Sequence, residues 1–245
     1  MSLLSRAEFL QCLQACGDRN YHHRHPFHLL MHEGKLTKTQ MQAWALNRYY
    51  YQSIIPQKDA IILSRSTDAE FRRAWRTRIE DHDGRQDGGP GGIEKWIRLA
   101  EATGVSREIV ESCKMVLPGV RFAVDAYLEL VTKRSFLEAV ASSLTEMFSA
   151  QLIAVRIRHL NQLYPWMAHG LDYFQSRLGQ APEDAEFALD YVYSHAKSRE
   201  QQELCIAALE RKCQILWAQL DAISHAYVTP GEPPPGFAWN LGGAK

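Results

Sequence analysis

Thr37-Lys38-Thr39-Gln40, with Asn47-Arg48-Tyr49-Tyr50-Tyr51-Gln52-Ser53-Ile54-Ile55-Pro56-Gln57-Lys58 downstream of it, is the most informative segment of the chain. The first four residues form a capping box. The threonine hydroxyl takes an amide of the first turn, and the glutamine side chain reaches back to the cap. A long helix is predicted to follow, kinked where Pro56 lacks an amide donor. Outward from it, Ser5-Arg6-Ala7-Glu8 opens a helix expected to end at Gly17. Thr67-Asp68-Ala69-Glu70 opens one that stops at Gly84, and Ser135-Phe136-Leu137-Glu138 opens another. Further helices read at about 92–103, 106–114, 120–133, 171–178, 183–196 and 198–227. Val/Ile/Thr alternation between hairpin turns is nearly absent. The expectation is therefore an all-α fold, one domain over residues 1–228, with an irregular Pro/Gly-rich tail at 229–245.

Composition narrows the function. The 245 residues are 46% hydrophobic and 23% charged, which is ordinary globular usage. Lys+Arg and Asp+Glu both number 28, so the basic excess of a nucleic-acid binder is missing. No apolar run is long enough for a membrane span. The amino-terminal residues turn charged at Arg6 without a signal-peptide core, so a cytoplasmic location is expected. The five cysteines, Cys12, Cys16, Cys113, Cys205 and Cys213, have no C-x-x-C spacing and read as free thiols. Arg85 to Gly92 is a glycine-rich loop, but it follows a helix and lacks the Lys-Ser/Thr ending of a phosphate loop.

Several positions carry chemistry. On a helix, Arg48, Tyr51 and Gln52 share a face, Ile55 continues it and Lys58 follows one turn later. Cations among aromatics on an inward stripe suit an anionic aromatic ligand, although a tyrosine-rich core stripe is the simpler reading of this segment alone. Arg78 and His82 are one turn apart beside Asp81 and Asp83. A histidine near a helix end can serve as general acid or base. Glu146, Ser149, Ile153 and Arg156 form a second stripe, which implies a partly buried Glu–Arg pair. Tyr173 and Arg177 are again one turn apart. Lys212 lies amid Leu209, Ile215 and Leu216, where a solvated lysine is the default. His22, His23, His25, His28 and His32 invite a metal reading, but the chain has no Glu-x-x-His pair, and a packed segment at a helix entry, with Pro26 early in the helix, is favoured.

The motifs Tyr21-His22 with His25-Pro26, Asn47 to Gln52 with Ile55-Pro56 and Lys58-Asp59-Ala60, Asp81-His82-Asp83-Gly84, Val116 to Tyr127, Ser142 to Glu146, Tyr164-Pro165-Trp166, and Ile215-Leu216-Trp217 resemble, in order, those of the pyrroloquinoline-quinone (PQQ) synthase family. The resemblance spans about residues 8–228. It implies a haem-oxygenase-like helix bundle around a central polar cavity, assembled as a homodimer. It also implies a cofactorless oxidase, without metal or organic cofactor, that closes the last ring of a tricyclic polycarboxylate precursor and oxidises it with O2, releasing H2O2 and PQQ. The family's pocket maps to Tyr21, His22, Arg48, Tyr51, Gln52, Lys58, Arg78, His82, Glu146, Arg156, Tyr173, Arg177 and Lys212. Arg48, Lys58, Arg156 and Lys212 would bind carboxylates. His82 would act as base, and Tyr173 and Arg177 would handle oxygen, with His22 also counted as catalytic. One position departs: Ile153 stands where the family carries a histidine. That departure leaves open a diverged oxidase, or a protein that binds PQQ or its precursor with impaired O2 chemistry. A thiaminase-type hydrolase is disfavoured, because the pocket segments contain no cysteine.

Overall fold

A computed structural model describes residues 2–86 and 88–229. Its elements are α1 (Arg6–Asn20), α2 (Pro26–His32), α3 (Lys38–Arg65), α4 (Ala69–Asp83), α5 (Gly92–Thr103), α6 (Arg107–Ser112), α7 (Pro118–Lys133), α8 (Phe136–Ala141), α9 (Ser149–Leu163), α10 (Asp172–His195) and α11 (Arg199–Tyr227). Short 3₁₀ segments lie at His22–Arg24, Ser142–Phe148 and Pro165–Gly170. Among the described residues there is no strand, and no helix is long and apolar enough to cross a membrane.

The capping boxes at Ser5, Thr37 and Ser135 form as expected, each with both reciprocal bonds. The helix after Thr67 is capped one residue later, because the Asp68 carboxylate accepts the Glu70 amide at 2.8 Å. His25 caps α2 through its ring nitrogen and Pro26 takes the first position, where a missing amide costs nothing.

Three boundaries differ from the sequence reading. Helix α1 runs past Gly17 to Asn20: that glycine is a packing position, since a Cβ there would lie 2.2 Å from the Phe148 ring. Helix α10 is continuous across 179–182, where two helices were expected, because its length is packed against α8, α9 and Ser142–Phe148. The helix opened at Ser135 gives way after one and a half turns to 3₁₀ structure and resumes as α9. Helix α3 remains helical through Pro56. Of the expected tail, residues 230–245 lie outside the described residues.

Helices α3 and α11 are the two long axes of the bundle. Helix α3 packs on α4, α5, α7 and α11, so it buries residues all round rather than along one stripe. Trp96 ties α5 to it by donating to the Ala45 carbonyl at 2.8 Å. Asn47 spans the other side, accepting the Leu117 amide at 2.8 Å where α7 begins. The α4–α5 loop closes tightly: a Cβ on Gly91 would lie 2.3 Å from the Gly84 nitrogen and 2.5 Å from the His82 carbonyl oxygen. Gly91→Ala should therefore displace that backbone and cost about 1–3 kcal/mol. Gly89→Ala, with nothing within 4 Å of the new Cβ, should be neutral to about 0.5 kcal/mol. Chemical denaturation of the two variants against the parent chain tests this; equal midpoints would show that the loop is slack.

Candidate active site

Helices α3, α4, α9, α10 and α11, with the two 3₁₀ segments at 22–24 and 142–148, line a cavity of about 110 Å³. Tyr21, His22, Arg48, Tyr51, Gln52, Lys58, His82, Glu146, Arg156, Tyr173 and Arg177 all line it, as does Ile153. The α3 face reads as expected, with Arg48, Tyr51, Gln52, Ile55 and Lys58 all on the cavity side. Arg78 and Lys212 stand behind the wall. Arg78 faces a second cavity between α4 and α10. Lys212 is 1% exposed, not solvated: its ammonium donates to Tyr51 Oη at 2.8 Å and sits 3.2 Å from the centre of the Tyr127 ring.

The charges divide the cavity into two ends. At one end every cation has a carboxylate. Lys58 donates to Asp59 at 2.5 Å. Arg78 bonds Glu146 at 2.5 Å and lies 3.4 Å from both Asp59 and Asp184. Arg177 lies 3.7 Å from Glu146 and 3.4 Å from Asp184. Burial would raise the Glu146 carboxyl, but Arg78, Arg177 and Lys58 outweigh it and hold the group down to about 2. Asp184, where burial dominates, is pushed up to about 6. The expected Glu146–Arg156 pair does not form, because the arginines of α4 and α10 reach the carboxylate instead.

At the other end the cations lack carboxylates among the described residues. Arg48 lies 3.9 Å over the Tyr51 ring and bonds only Gln219, at 3.4 Å. Arg156 touches the His28 ring, and its Nε has no partner. Burial lowers the Arg156 guanidinium to about 10, and Arg48 adds repulsion. Burial together with Arg48 and Arg156 drives His22 well below the ordinary histidine range.

His82 lines the cavity with one ring nitrogen committed to the backbone. Its Nδ1 donates to the Arg78 carbonyl at 3.0 Å, which leaves Nε2 unprotonated, buried and without a partner. Burial, then Arg177, lowers it to about 4. The His82 and Tyr173 rings both come close to Gly92: a Cβ there would lie 3.4 Å from the first and 3.5 Å from the second, in ordinary van der Waals contact. Tyr173 donates to Gln52 at 2.9 Å. Sequence reasoning did not place His28, Ser143, Tyr127 or Gln219 at the site. His28 stood in the histidine run, and Tyr127 and Ser143 lay within the motifs that carry the family resemblance; nothing in the sequence marks Gln219. Among the described residues no group of three or more His, Cys, Asp or Glu side chains is arranged to hold a metal, and no cysteine lines the cavity.

A family model described as the TENA/THI-4/PQQC family matches residues 11–222. A pyrroloquinoline-quinone synthase of Acidiphilium cryptum is 55% identical over 235 residues, 96% of this chain and 95% of that one. A bifunctional coenzyme PQQ synthesis protein C/D of Methylorubrum extorquens is 54% identical over 241 residues, 98% of this chain and 64% of that protein's length. A Shewanella denitrificans domain with a haem-oxygenase-like fold superposes with a TM-score of 0.78 at 14% identity, covering 97% of this chain and all of that one.

The neutral, buried His82 has a measurable consequence. The unfolded chain protonates this histidine near 6.5, whereas the folded chain waits until about 4, so stability falls as pH drops through that window. His82→Gln should flatten the slope of stability against pH there by up to one proton, about 1.4 kcal/mol per pH unit. Urea unfolding between pH 4 and 6.5 measures it; an unchanged slope would mean that His82 titrates normally in the fold.

Proposed function

The chain belongs to the TENA/THI-4/PQQC family and to its pyrroloquinoline-quinone synthases, and from that membership we propose that the cavity takes the polycarboxylate precursor of PQQ, closes its last ring and oxidises it with O2. Each pair of hydrogens leaving carbon or nitrogen supplies two electrons and two protons, which convert O2 to H2O2. No metal or organic cofactor is needed in this reading. The active form is a cytoplasmic homodimer.

The single feature that best supports this reading is the carboxylate-free end of the cavity. A buried guanidinium without a counter-charge is costly, and a ligand carrying carboxylates removes the cost on binding. Arg156, buried, and Arg48, half-buried, are the two cavity cations without a carboxylate partner among the described residues. Lys58 and Arg177 are already neutralised by protein carboxylates, so they contribute hydrogen bonds with little net positive field. Trp44, Trp96 and Phe174 supply apolar faces for a fused-ring ligand.

His82 then takes a proton at Nε2. An anionic ligand beside it opposes the effect of Arg177 and brings its basicity up toward the range useful for catalysis. Tyr173 and Arg177 stand next to it and offer donors to reduced oxygen. Lys212 acts through Tyr51, whose hydroxyl accepts from its ammonium. Ile153 is buried in the cavity wall and offers no hydrogen bond, so reduced oxygen species rest on Tyr173 and Arg177.

Oxygen uptake and visible spectra recorded together on the purified protein with the precursor test the function. Oxygen consumption with formation of PQQ is expected; tight binding of the precursor without oxygen uptake would make the chain a binding protein. Arg48→Ala should weaken binding about tenfold to a hundredfold while the melting temperature changes little. If affinity holds and the melting temperature collapses, Arg48 is a core piece. Ile153→His should speed the O2-dependent phase of a single turnover and leave the anaerobic binding phase nearly unchanged. Complete conversion by the parent chain with no gain in the variant would show that a histidine at this place is dispensable.

A further inference from the structure

The ion pairs at the neutralised end of the cavity are uneven. Arg78 meets Glu146 at 2.5 Å, but Asp59 and Asp184 only at 3.4 Å. Asp59 also holds Lys58 at 2.5 Å, so it and Glu146 each have one short bond to a cation. Asp184 has none: its partners Arg78 and Arg177 both stand 3.4 Å away. It is the most weakly held carboxylate of the three and the first to take a proton. A proton can also reach it without crossing the ligand cavity. Asp59 is fully buried and Glu146 faces the ligand cavity, whereas Asp184 lines the second cavity beside the exposed Arg85. Burial, the largest influence, outweighs Arg78 and raises the Asp184 carboxyl in the same sense.

Arg177 carries the consequence inward. It lines the ligand cavity, while its Nη2 reaches back to Glu146 and Asp184. With every group ionised, Asp59, Glu146 and Asp184 balance Lys58, Arg78 and Arg177. A proton on Asp184 leaves one positive charge in excess, next to Arg177. We propose that Asp184 is a positioning residue that acts through Arg177: protonated from the second cavity, it releases the charge of Arg177 to an anionic ligand, and ionised, it withholds that charge. The proposal rests on the reading of the cavity as a polycarboxylate site, and it couples anion binding to proton uptake. The charged groups around Asp184 are Asp59, Arg78, Asp81, Arg85, Glu146 and Arg177. The arginines stay protonated, and Glu146 is held down to about 2. Burial raises Asp81 too, but Asp81 pairs with Arg85, at 3.7 Å, and not with Arg177.

Titration with PQQ of the parent chain, Asp184→Asn and Asp81→Asn between pH 5 and 8 tests this. Asn keeps the shape and an acceptor oxygen and removes the charge. The parent should bind about threefold to tenfold more tightly at pH 5 than at pH 8. Asp184→Asn should bind at pH 8 as tightly as the parent does at pH 5 and lose that dependence, and Asp81→Asn should follow the parent. His82 is kept in all three chains, so its own titration cancels in the comparison. A merely structural role would weaken Asp184→Asn equally at every pH. That result, an unchanged pH dependence in Asp184→Asn, or its loss in Asp81→Asn instead overturns the proposal. Carbon-13 spectra of the aspartate carboxyls in the parent chain give a ligand-free readout. Asp184 should titrate between pH 5 and 8, and a carboxylate that stays ionised throughout overturns the proposal. Failure to bind PQQ at any pH would sink the functional reading, a result distinct from binding without pH dependence, and the carboxyl titration still judges Asp184.

Discussion

The carboxylate of Glu146 makes the interior of this bundle possible. Lys58, Arg78 and Arg177 are all less than a tenth exposed, and cations at that depth are tolerated only when paired. Glu146 accepts from Arg78 and attracts Arg177, while Asp59 and Asp184 take the remaining sides of the same cations. With the network closed on itself, the positive field that reaches the cavity comes from the other end, from Arg48 and Arg156. Charge matching inside the protein therefore decides where an anionic ligand is attracted.

Backbone irregularities serve that division. A continuous α-helix from Ser135 would carry its side chains past the cavity on a single stripe. The 3₁₀ segment Ser142–Phe148 rewinds the chain, so Ser143, Thr145 and Glu146 face the cavity together and α9 can bring Ser149, Ile153 and Arg156 to the same wall. Gly91 acts similarly at the opposite side. It lets the α4–α5 loop fold back against Gly84 and His82, and the rings of His82 and Tyr173 both lie next to Gly92.

The histidines share one device. His25, His28 and His82 each have one ring nitrogen committed to a backbone group: His25 accepts the Phe27 amide, while His28 and His82 donate to carbonyl oxygens. The backbone thereby chooses the tautomer, and the second nitrogen is left with a defined role. For His25 that is a contact to Asp221 at 3.0 Å and for His82 a free lone pair in the cavity, while the His28 ring lies against the Arg156 guanidinium. Burial lowers the basicity of all three.

The sequence by itself determined the helical architecture, because capping boxes and apolar periodicity are local physics that each segment satisfies within a few turns. It also marked the α3 face from Arg48 to Lys58, since side-chain spacing on one helix is fixed by the helix itself. Eleven of the thirteen positions taken from the family resemblance line one cavity. What lay beyond it was long-range. Whether Glu146 pairs with Arg156 or with the arginines of α4 and α10 depends on how helices far apart in the chain approach one another. Lys212 reads as solvated until Tyr51 and Tyr127 are placed over it. The continuity of α10 and the buried Gly17 follow from packing against α8, α9 and Phe148. Only the tertiary structure could separate the neutralised cations from the open ones, because the energy of a buried charge is set by its surroundings in space and not by its neighbours in sequence.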